Sequence, residues 1–260
     1  EVNVAYCPER VLPGRIIEEL VNNDRVIGGL NDESISLAKE LFSGFCKGNL
    51  FSTNSRTAEL VKLTENSFRD VNIAFANELS LICQETKVEV KELIRLANRH
   101  PRVNILSPSC GVGGHCIPID PWFIASQYPN STPLIQTARA VNENKMHWTA
   151  LQIIDKATSL KKKLGRSPTI GCFGLAYKPN VDDLRESPAI KIIEQLIENK
   201  LKTIVCEPNI TKHESIKIDT IEYVFNNSDL LVFLVSHKPF FKLNLKGKEV
   251  YDACGFTENK

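Results

Sequence analysis

The chain has 260 residues, 42% hydrophobic and 24% charged, which is the make-up of a folded globular protein with room for about two domains. Its 32 basic and 31 acidic residues leave a net charge of +1, so no global field recruits nucleic acid or an anionic membrane, and any phosphate binding must be local. The longest apolar run, Leu230–Val235, is far short of the roughly 20 residues that cross a bilayer, and no basic-then-apolar leader opens the chain, which therefore reads as cytoplasmic.

In chain order, Val2–Tyr6 reads as a strand entered without a preceding helix or cap, so the start looks cut. Arg25–Gly29 is a second strand, Glu33–Phe45 an amphipathic helix and Asn49–Ser52 a third strand, the closing part of an α/β domain. Thr57–Thr86 turns helical, with Leu60, Val61, Leu63, Phe68, Val71, Ala74, Phe75, Leu79 and Ile82 on its apolar face, and Val90–Ala97 adds another helix. Asn98–Ile119 carries three prolines and three glycines, the composition of an irregular functional loop. Asp120 before Pro121 is an N-cap and first-turn signal for a helix through Gln127. A long connecting helix is expected over Leu134–Leu160, ending in Lys161, Lys162 and Lys163, with a turn at Gly165–Pro168. Beyond it strands at Thr169–Phe173, Thr203–Cys206, Leu230–Val235 and Glu249–Asp252, with a helix at Pro188–Asn199, predict a small doubly wound parallel sheet.

Eight cysteines are scattered rather than paired as CxxC, which points to neither a zinc site nor a disulfide framework. The default for each is a small buried hydrophobe. Cys116 departs from it, because GVGGHCIPIDP, residues 111–121, lets backbone approach a ligand closely and then delivers a thiol just before a helix start, where the thiolate is favoured. His115 beside it could be a partner, yet adjacent side chains usually point apart, which makes a direct catalytic role the lesser reading. The alternative for the whole stretch is a tight turn with a buried cysteine.

Lys62, Asn66 and Arg69 lie at i, i+4 and i+7 on one helix face. Such a stripe is commonly a solvated surface, yet a lysine and an amide four apart can also aim at one oxygen, as oxyanion stabilisation requires. GCFGLAYKPN, residues 171–180, followed by DDLRESP, places glycines, Lys178 and Arg185 between a strand and a helix start, which suits phosphates, although the spacing is neither GxGxxG nor a P-loop.

These motifs, with CPERVLPG at Cys7–Gly14, NSRTAELVKLTENSFRDVNIAFANEL at Asn54–Leu79, NRHPRVNIL at Asn98–Leu106 and FGLAYKPNVDDLRESPA, resemble the UDP-glucose and UDP-mannuronate dehydrogenase family over nearly the whole chain, and NRHPRVNIL with GGHC is most similar to its UDP-N-acetyl-D-mannosamine branch. The resemblance implies an α/β fold with three parts. Residues 1–53 would be the remnant of an N-terminal Rossmann-like NAD-binding domain, 54–164 a central all-helical dimerisation and catalytic domain with a linker helix, and 165–260 a C-terminal Rossmann-like UDP-sugar-binding domain. It implies oxidation of the sugar C6 alcohol to a carboxylate with two NAD and one water, through Cys116 as nucleophile. Lys62 and Asn66 match the positions holding the C6 oxygen, Asp120 the carboxylate assisting base chemistry or the water, and Glu9 an acid near the reacting carbon. Arg10, Val11, Arg69, Gly113, Tyr177 and Lys178 match substrate contacts, with His100 and Arg102 reaching into a neighbouring subunit's site, and Arg185 matches a contact to the NAD pyrophosphate. The expected assembly is a homodimer about the Thr57–Ala97 helices. Two departures stand out. Most of the NAD-binding domain, with its glycine-rich turn, is expected to be missing, which would leave the chain inactive alone, and Cys254 in YDACGF occupies a place where the family tends to carry a lysine or arginine. UDP-N-acetylglucosamine or UDP-glucose as substrate, and a non-catalytic binding or dimerisation module, remain open alternatives.

Overall fold

A computed structural model describes residues 2–11 and 14–257, so Leu12 and Pro13 of the Cys7–Gly14 block lie outside the described residues. Two compact units divide at Phe68/Arg69, inside the long helix α3 (Ser55–Thr86).

The first unit holds β1 (Ala5–Tyr6), α1 (Ile16–Asn22), β2 (Arg25–Gly29), α2 (Asp32–Ser43) and β3 (Leu50–Asn54), followed by the start of α3. β2 pairs with β3 in parallel through the α2 crossover, and β1 runs antiparallel on the outer edge of β2. Asn31 caps α2 by accepting from Ser34 N at 2.8 Å, and Asp32 and Glu33 sit in the first turn, where a helix N-terminus favours negative charge. The predicted first strand shrinks to Ala5–Tyr6, since Val2 is 84% exposed and only Ala5 and Tyr6 have partners on β2. Helix α1 was not expected: none of its residues is buried, so no apolar stripe marks it in the sequence.

The second unit begins with the rest of α3 and continues through α4 (Val90–Ala97), α5 (Asp120–Gln127), α6 (Pro133–Leu164), β4 (Thr169–Phe173), α7 (Pro188–Glu198), β5 (Lys202–Cys206), α8 (Ile221–Asn227), β6 (Leu230–Phe233) and β7 (Glu249–Asp252). No helix or strand interrupts residues 98–119, as their composition predicts. Helix α6 stops at Gly165, whose φ of +70° is the left-handed cap that glycine adopts without a Cβ penalty, and Gly165 N donates to Lys161 O at 3.0 Å. The capping role expected of Asp120 is corrected: Asp120 is the first helical residue of α5, Ile119 holds the cap position without a side-chain bond, and Cys116 O accepts from Ile119 N and Asp120 N, winding the chain into the helix.

All four strands of the second sheet are parallel, in the order β5-β4-β6-β7. The chain steps outward from β4 to β5, then returns past β4 to β6, so the topological switch point lies between β4 and β6, where open α/β sheets bind ligands beyond their strand C-termini. One face of the sheet is closed by Ile192, Ile193 and Leu196 of α7. The other buries Phe173, Phe233, Phe240 and Phe256, with the Phe173 and Phe233 rings stacked at 4.7 Å and those of Phe233 and Phe256 at 4.1 Å. Helix α8 was also not anticipated, because its IEYVF run is β-prone in composition and only Val224 is buried; Thr220 caps it. Among the described residues no helix is long and apolar enough to cross a membrane.

Candidate functional site

Beyond β4 the chain makes a loop that a buried acid holds in shape. Glu207, just after β5, accepts from Leu175 N at 2.7 Å, Ala176 N at 3.1 Å and His237 Nε2 at 3.0 Å, while its other oxygen accepts from Asn209 N at 2.9 Å. His237 is fully buried, and its Nδ1 accepts from Asn180 N at 2.9 Å, which fixes the proton on Nε2. Burial pushes the Glu207 carboxyl up, but the bonds from His237, Leu175 and Asn209 outweigh it and bring the group below its ordinary range. In dinucleotide-binding folds the acid at the end of the second strand serves the ribose. Here that acid is turned inward to anchor residues 175–180, the segment bearing Tyr177 and Lys178.

The same segment folds back on itself before α7. Tyr177 N donates to Asp183 O at 3.0 Å, Ser187 Oγ donates to Leu175 O at 2.6 Å, and Pro188 opens the helix. Against it lies the glycine loop. Gly114 has φ +91° and donates to Arg185 O at 2.9 Å, and a Cβ there would stand 3.0 Å from the Tyr177 ring. At Gly113 a Cβ would come within 2.7 Å of Glu186 O, so GVGG reads as the sequence that lets this loop lie on the 177–188 segment.

That contact brings the thiol to the switch-point side of the sheet. Cys116 is half-buried, and its Sγ lies 3.0 Å from His115 Nδ1. The expectation that His115 points away from Cys116 is thereby corrected: in the turn 114–119 that enters α5 the two side chains converge. Burial raises the Tyr177 phenol, helped by the Asp183 and Cys116 charges and opposed by Arg185. Arg185 grips Asp183 through two nitrogens, at 2.6 and 2.9 Å, and that hydrogen bonding holds the Asp183 carboxyl down. Cys116, His115, Tyr177, Asp183 and Arg185 thus form one electrostatic cluster.

A relay of buried amides fixes the near end of the glycine loop. Asp70 Oδ1 accepts from Arg139 Nη1 at 2.7 Å and from Asn142 Nδ2 at 2.8 Å, Asn77 Nδ2 donates to Asn142 Oδ1 at 2.9 Å, and Asn77 Oδ1 accepts from Ser109 N at 2.8 Å. Each amide has one orientation that satisfies the chain. Burial raises the Asp70 carboxyl despite Arg139. Beyond the relay, Ser107–Gly111, Ala176, Tyr177, Leu234–Ser236 and Cys254 line a crevice of about 290 Å³ at the switch point. A cavity of about 500 Å³ shares its Ser107–Ser109 and Cys254 wall.

Of the residues singled out in the sequence, the second unit brings together Gly113, Cys116, Tyr177 and Arg185, with Asp120 opening α5 and Lys178 half-buried on the anchored loop. Arg69 is exposed on α3, and His100 and Arg102 are exposed after α4, where Arg102 N donates to His100 Nδ1 at 3.3 Å. In the first unit Lys62 is half-buried and Asn66 is 7% exposed, one turn apart on α3. There Arg10 pairs with Glu65 at 2.9 Å, Val11 is half-buried, and Glu9 lies 3.5 Å from Arg25, whose buried guanidinium sits over Phe42. Sequence reasoning missed Asp183, Glu207, His237 and Lys145; only the acid following β5 had a positional signal, as the usual ribose-binding place.

At Gly28 a Cβ would meet the Ala58 side chain at 2.5 Å and at Gly29 the Ile35 side chain at 2.6 Å, so these glycines serve close packing and open no pyrophosphate cradle, and Arg185 is engaged by Asp183. The described residues do not by themselves fit around NAD.

Residues 56–144 match the central domain, 171–259 the UDP binding domain and 1–46 the NAD binding domain of the UDP-glucose/GDP-mannose dehydrogenase family. The expected lack of the NAD-binding domain is therefore corrected in part, since residues 1–46 match it. A UDP-N-acetyl-D-mannosamine dehydrogenase of Campylobacter jejuni is 50% identical over 98% of this chain and 63% of its own length. An NDP-N-acetyl-D-galactosaminuronic acid dehydrogenase of Ralstonia nicotianae is 47% identical over 100% of this chain and 62% of its own. The solved structure of a UDP-D-ManNAc dehydrogenase from Pyrococcus horikoshii superposes with a TM-score of 0.86 at 40% identity, over 98% of this chain and 61% of that one. The chain thus spans less than two thirds of the length of these relatives, and by all three of its matched domains it belongs to the UDP-glucose/GDP-mannose dehydrogenase family.

Proposed function

We propose that this protein oxidises the C6 alcohol of UDP-N-acetyl-D-mannosamine to the carboxylate, a four-electron reaction with a cysteine-bound intermediate. The observation that carries the reading is a half-buried thiol 3.0 Å from a histidine nitrogen, on a glycine loop seated against the UDP-binding-domain segment that bears Tyr177 and Arg185. Half identity to a UDP-N-acetyl-D-mannosamine dehydrogenase supports the choice of sugar. NAD, held by the NAD binding domain of which residues 1–46 match a part, would supply the acceptor for both hydrides.

In this reading Lys62 and Asn66 hold the C6 oxygen, and the Lys62 amine takes the alcohol proton as the first hydride leaves and returns it to that oxygen as sulfur adds. The Cys116 thiolate adds to the aldehyde carbon, and the oxygen of the resulting thiohemiacetal stays under Lys62 and Asn66. Loss of the second hydride, with the hydroxyl proton passing back to Lys62, leaves a thioester. Water, deprotonated with help from Asp120, then displaces sulfur to give carboxylate and free thiolate. Glu9 stands near the reacting carbon; Arg10, Val11, Arg69, Gly113, Tyr177 and Lys178 bind the nucleotide sugar. His100 and Arg102 reach a neighbouring subunit's site in a homodimer, for which the exposed Leu60, Phe68, Phe75 and Ile82 along α3 offer an apolar stripe. Arg185 must trade Asp183 for the dinucleotide to act there. The three matches support boundaries at 1–53, 54–164 and 165–260 for the NAD-binding, central and UDP-binding domains.

The identity to the Ralstonia enzyme favours a second amino-sugar epimer as the competing substrate. Assaying NADH release by the full-length protein with UDP-N-acetylmannosamine, -glucosamine and -galactosamine and with UDP-glucose decides between them. The highest kcat/KM is expected for the mannosamine, at about two NADH per sugar, since the thioester route removes two hydrides. Preference for another sugar, or no NAD reduction with any of them, would overturn the proposal.

A further inference from the structure

The 500 Å³ cavity beside the crevice holds an ammonium with no carboxylate partner among the described residues. Lys145, on α6, is 7% exposed and lines that cavity together with Ser80, Lys91, Trp148, Tyr251 and Cys254. Its Nζ donates to Ser80 Oγ at 2.8 Å and lies 4.0 Å from the centre of the Trp148 ring, and it pairs with no carboxylate among the described residues. A buried ammonium without a counter-ion is costly, so such groups are paired or await a ligand. Burial alone pushes the Lys145 ammonium down to about 8, with the Cys110 thiol the only opposing group.

The other charged groups of the cavity do not answer it. Asp252 accepts from the backbone N–H of Cys254, Phe256 and Thr257 and from the Thr257 hydroxyl, so its carboxylate is spent on its own turn. Lys91, a cation itself, donates its Nζ to Gly255 O at 3.1 Å. Ser80, whose hydroxyl donates to Asn77 O, can only accept from Lys145, which leaves the ammonium with donors for a ligand. Through Ser107–Ser109 and Cys254 the cavity adjoins the switch-point crevice, and Tyr177, which lines that crevice, feels the Cys116 charge.

We propose that Lys145 is a phosphate-binding residue, and that the nucleotide sugar lying in the crevice extends its diphosphate into this cavity. The ligand's identity rests on the proposed function; the buried ammonium's remaining donors do not. A buried ammonium with donors to spare and a pair of aromatic walls, Trp148 and Tyr251, in a space of nucleotide size fit a nucleoside diphosphate better than a bare carboxylate.

The test is calorimetric titration of the 260-residue chain with UDP and with inorganic pyrophosphate, comparing Lys145→Met, Lys145→Arg and Lys178→Met. Lys145→Met should weaken both ligands about tenfold or more, as loss of a hydrogen bond to a charged group predicts, and Lys145→Arg should keep most of the affinity. Pulsed amine labelling read by mass spectrometry gives a check that needs no variant: either ligand should protect Lys145. Unchanged affinity in Lys145→Met without protection, loss confined to Lys178→Met, or no binding of either ligand overturns the proposal. If pyrophosphate binds at Lys145 while no UDP-sugar is oxidised, the proposed function fails and this inference stands; if UDP-sugars are oxidised and Lys145 is irrelevant, the reverse holds.

Discussion

Replacing Glu207 with alanine removes the acceptor for five donors at once: the backbone N–H of Leu175, Ala176 and Asn209, the Asn209 side-chain amide and the ring N–H of His237. Leu175, Ala176 and His237 are at most 1% exposed, so water cannot replace the carboxylate without opening the loop. An orphaned buried donor costs about 1–3 kcal/mol, and with partial relaxation the three innermost should together cost about 3–6 kcal/mol. Both tryptophans of the chain, Trp122 and Trp148, lie in the second unit, so urea unfolding followed by tryptophan fluorescence reads its stability directly. The pH dependence has a fixed sign. The folded carboxyl is depressed, so its contribution is complete above the ordinary value of 4.5 and is lost as pH falls through the folded value. The stability gap between Glu207→Ala and the parent should therefore narrow in acid. A variant within about 1 kcal/mol of the parent at neutral pH, at the low end for a single orphaned donor, would refute the anchoring role.

Two further perturbations probe the glycine loop. Asn77→Ala strips the acceptor from Ser109 N and the donor from Asn142 Oδ1, and should cost about 1–3 kcal/mol in urea unfolding while raising KM for the nucleotide sugar more than it lowers kcat. Gly114→Ala meets both a φ of +91° and the Tyr177 ring at 3.0 Å, so it should destabilise by about 1–3 kcal/mol and shift the tyrosine ring, seen as loss of UDP-sugar affinity in calorimetry.

Much of the fold was legible because periodicity and punctuation agreed. Arg25–Gly29, Val90–Ala97, Thr169–Phe173 and Glu249–Asp252 fall where the sequence places them, each bounded by a turn residue or a change of period. Helices α1 and α8 escaped because a short element with at most one buried residue leaves no apolar stripe. The site was legible in part. GVGGHC predicted a thiol on a close-approach loop, and the structure seats that loop on Tyr177 and Glu186. His115 was set aside by a rule about neighbouring side chains that holds for regular elements and fails in a turn. His237 and Lys145 were invisible, and Glu207 was marked only by its place after β5, because their roles come from pairings across 30 or more residues, as between Glu207 and His237, or 65, as between Lys145 and Ser80. No local spacing records such contacts.

The covalent role of Cys116 is tested most directly by trapping. With Asp120→Asn in the full-length protein, thioester hydrolysis should slow, and quenched turnover with UDP-N-acetylmannosamine and NAD should leave the Cys116 peptide heavier by the acyl sugar nucleotide in peptide mass spectrometry. The account predicts that adduct on Cys116 and none of the uronate from Cys116→Ala; an unmodified Cys116 together with undiminished uronate from the alanine variant would contradict it.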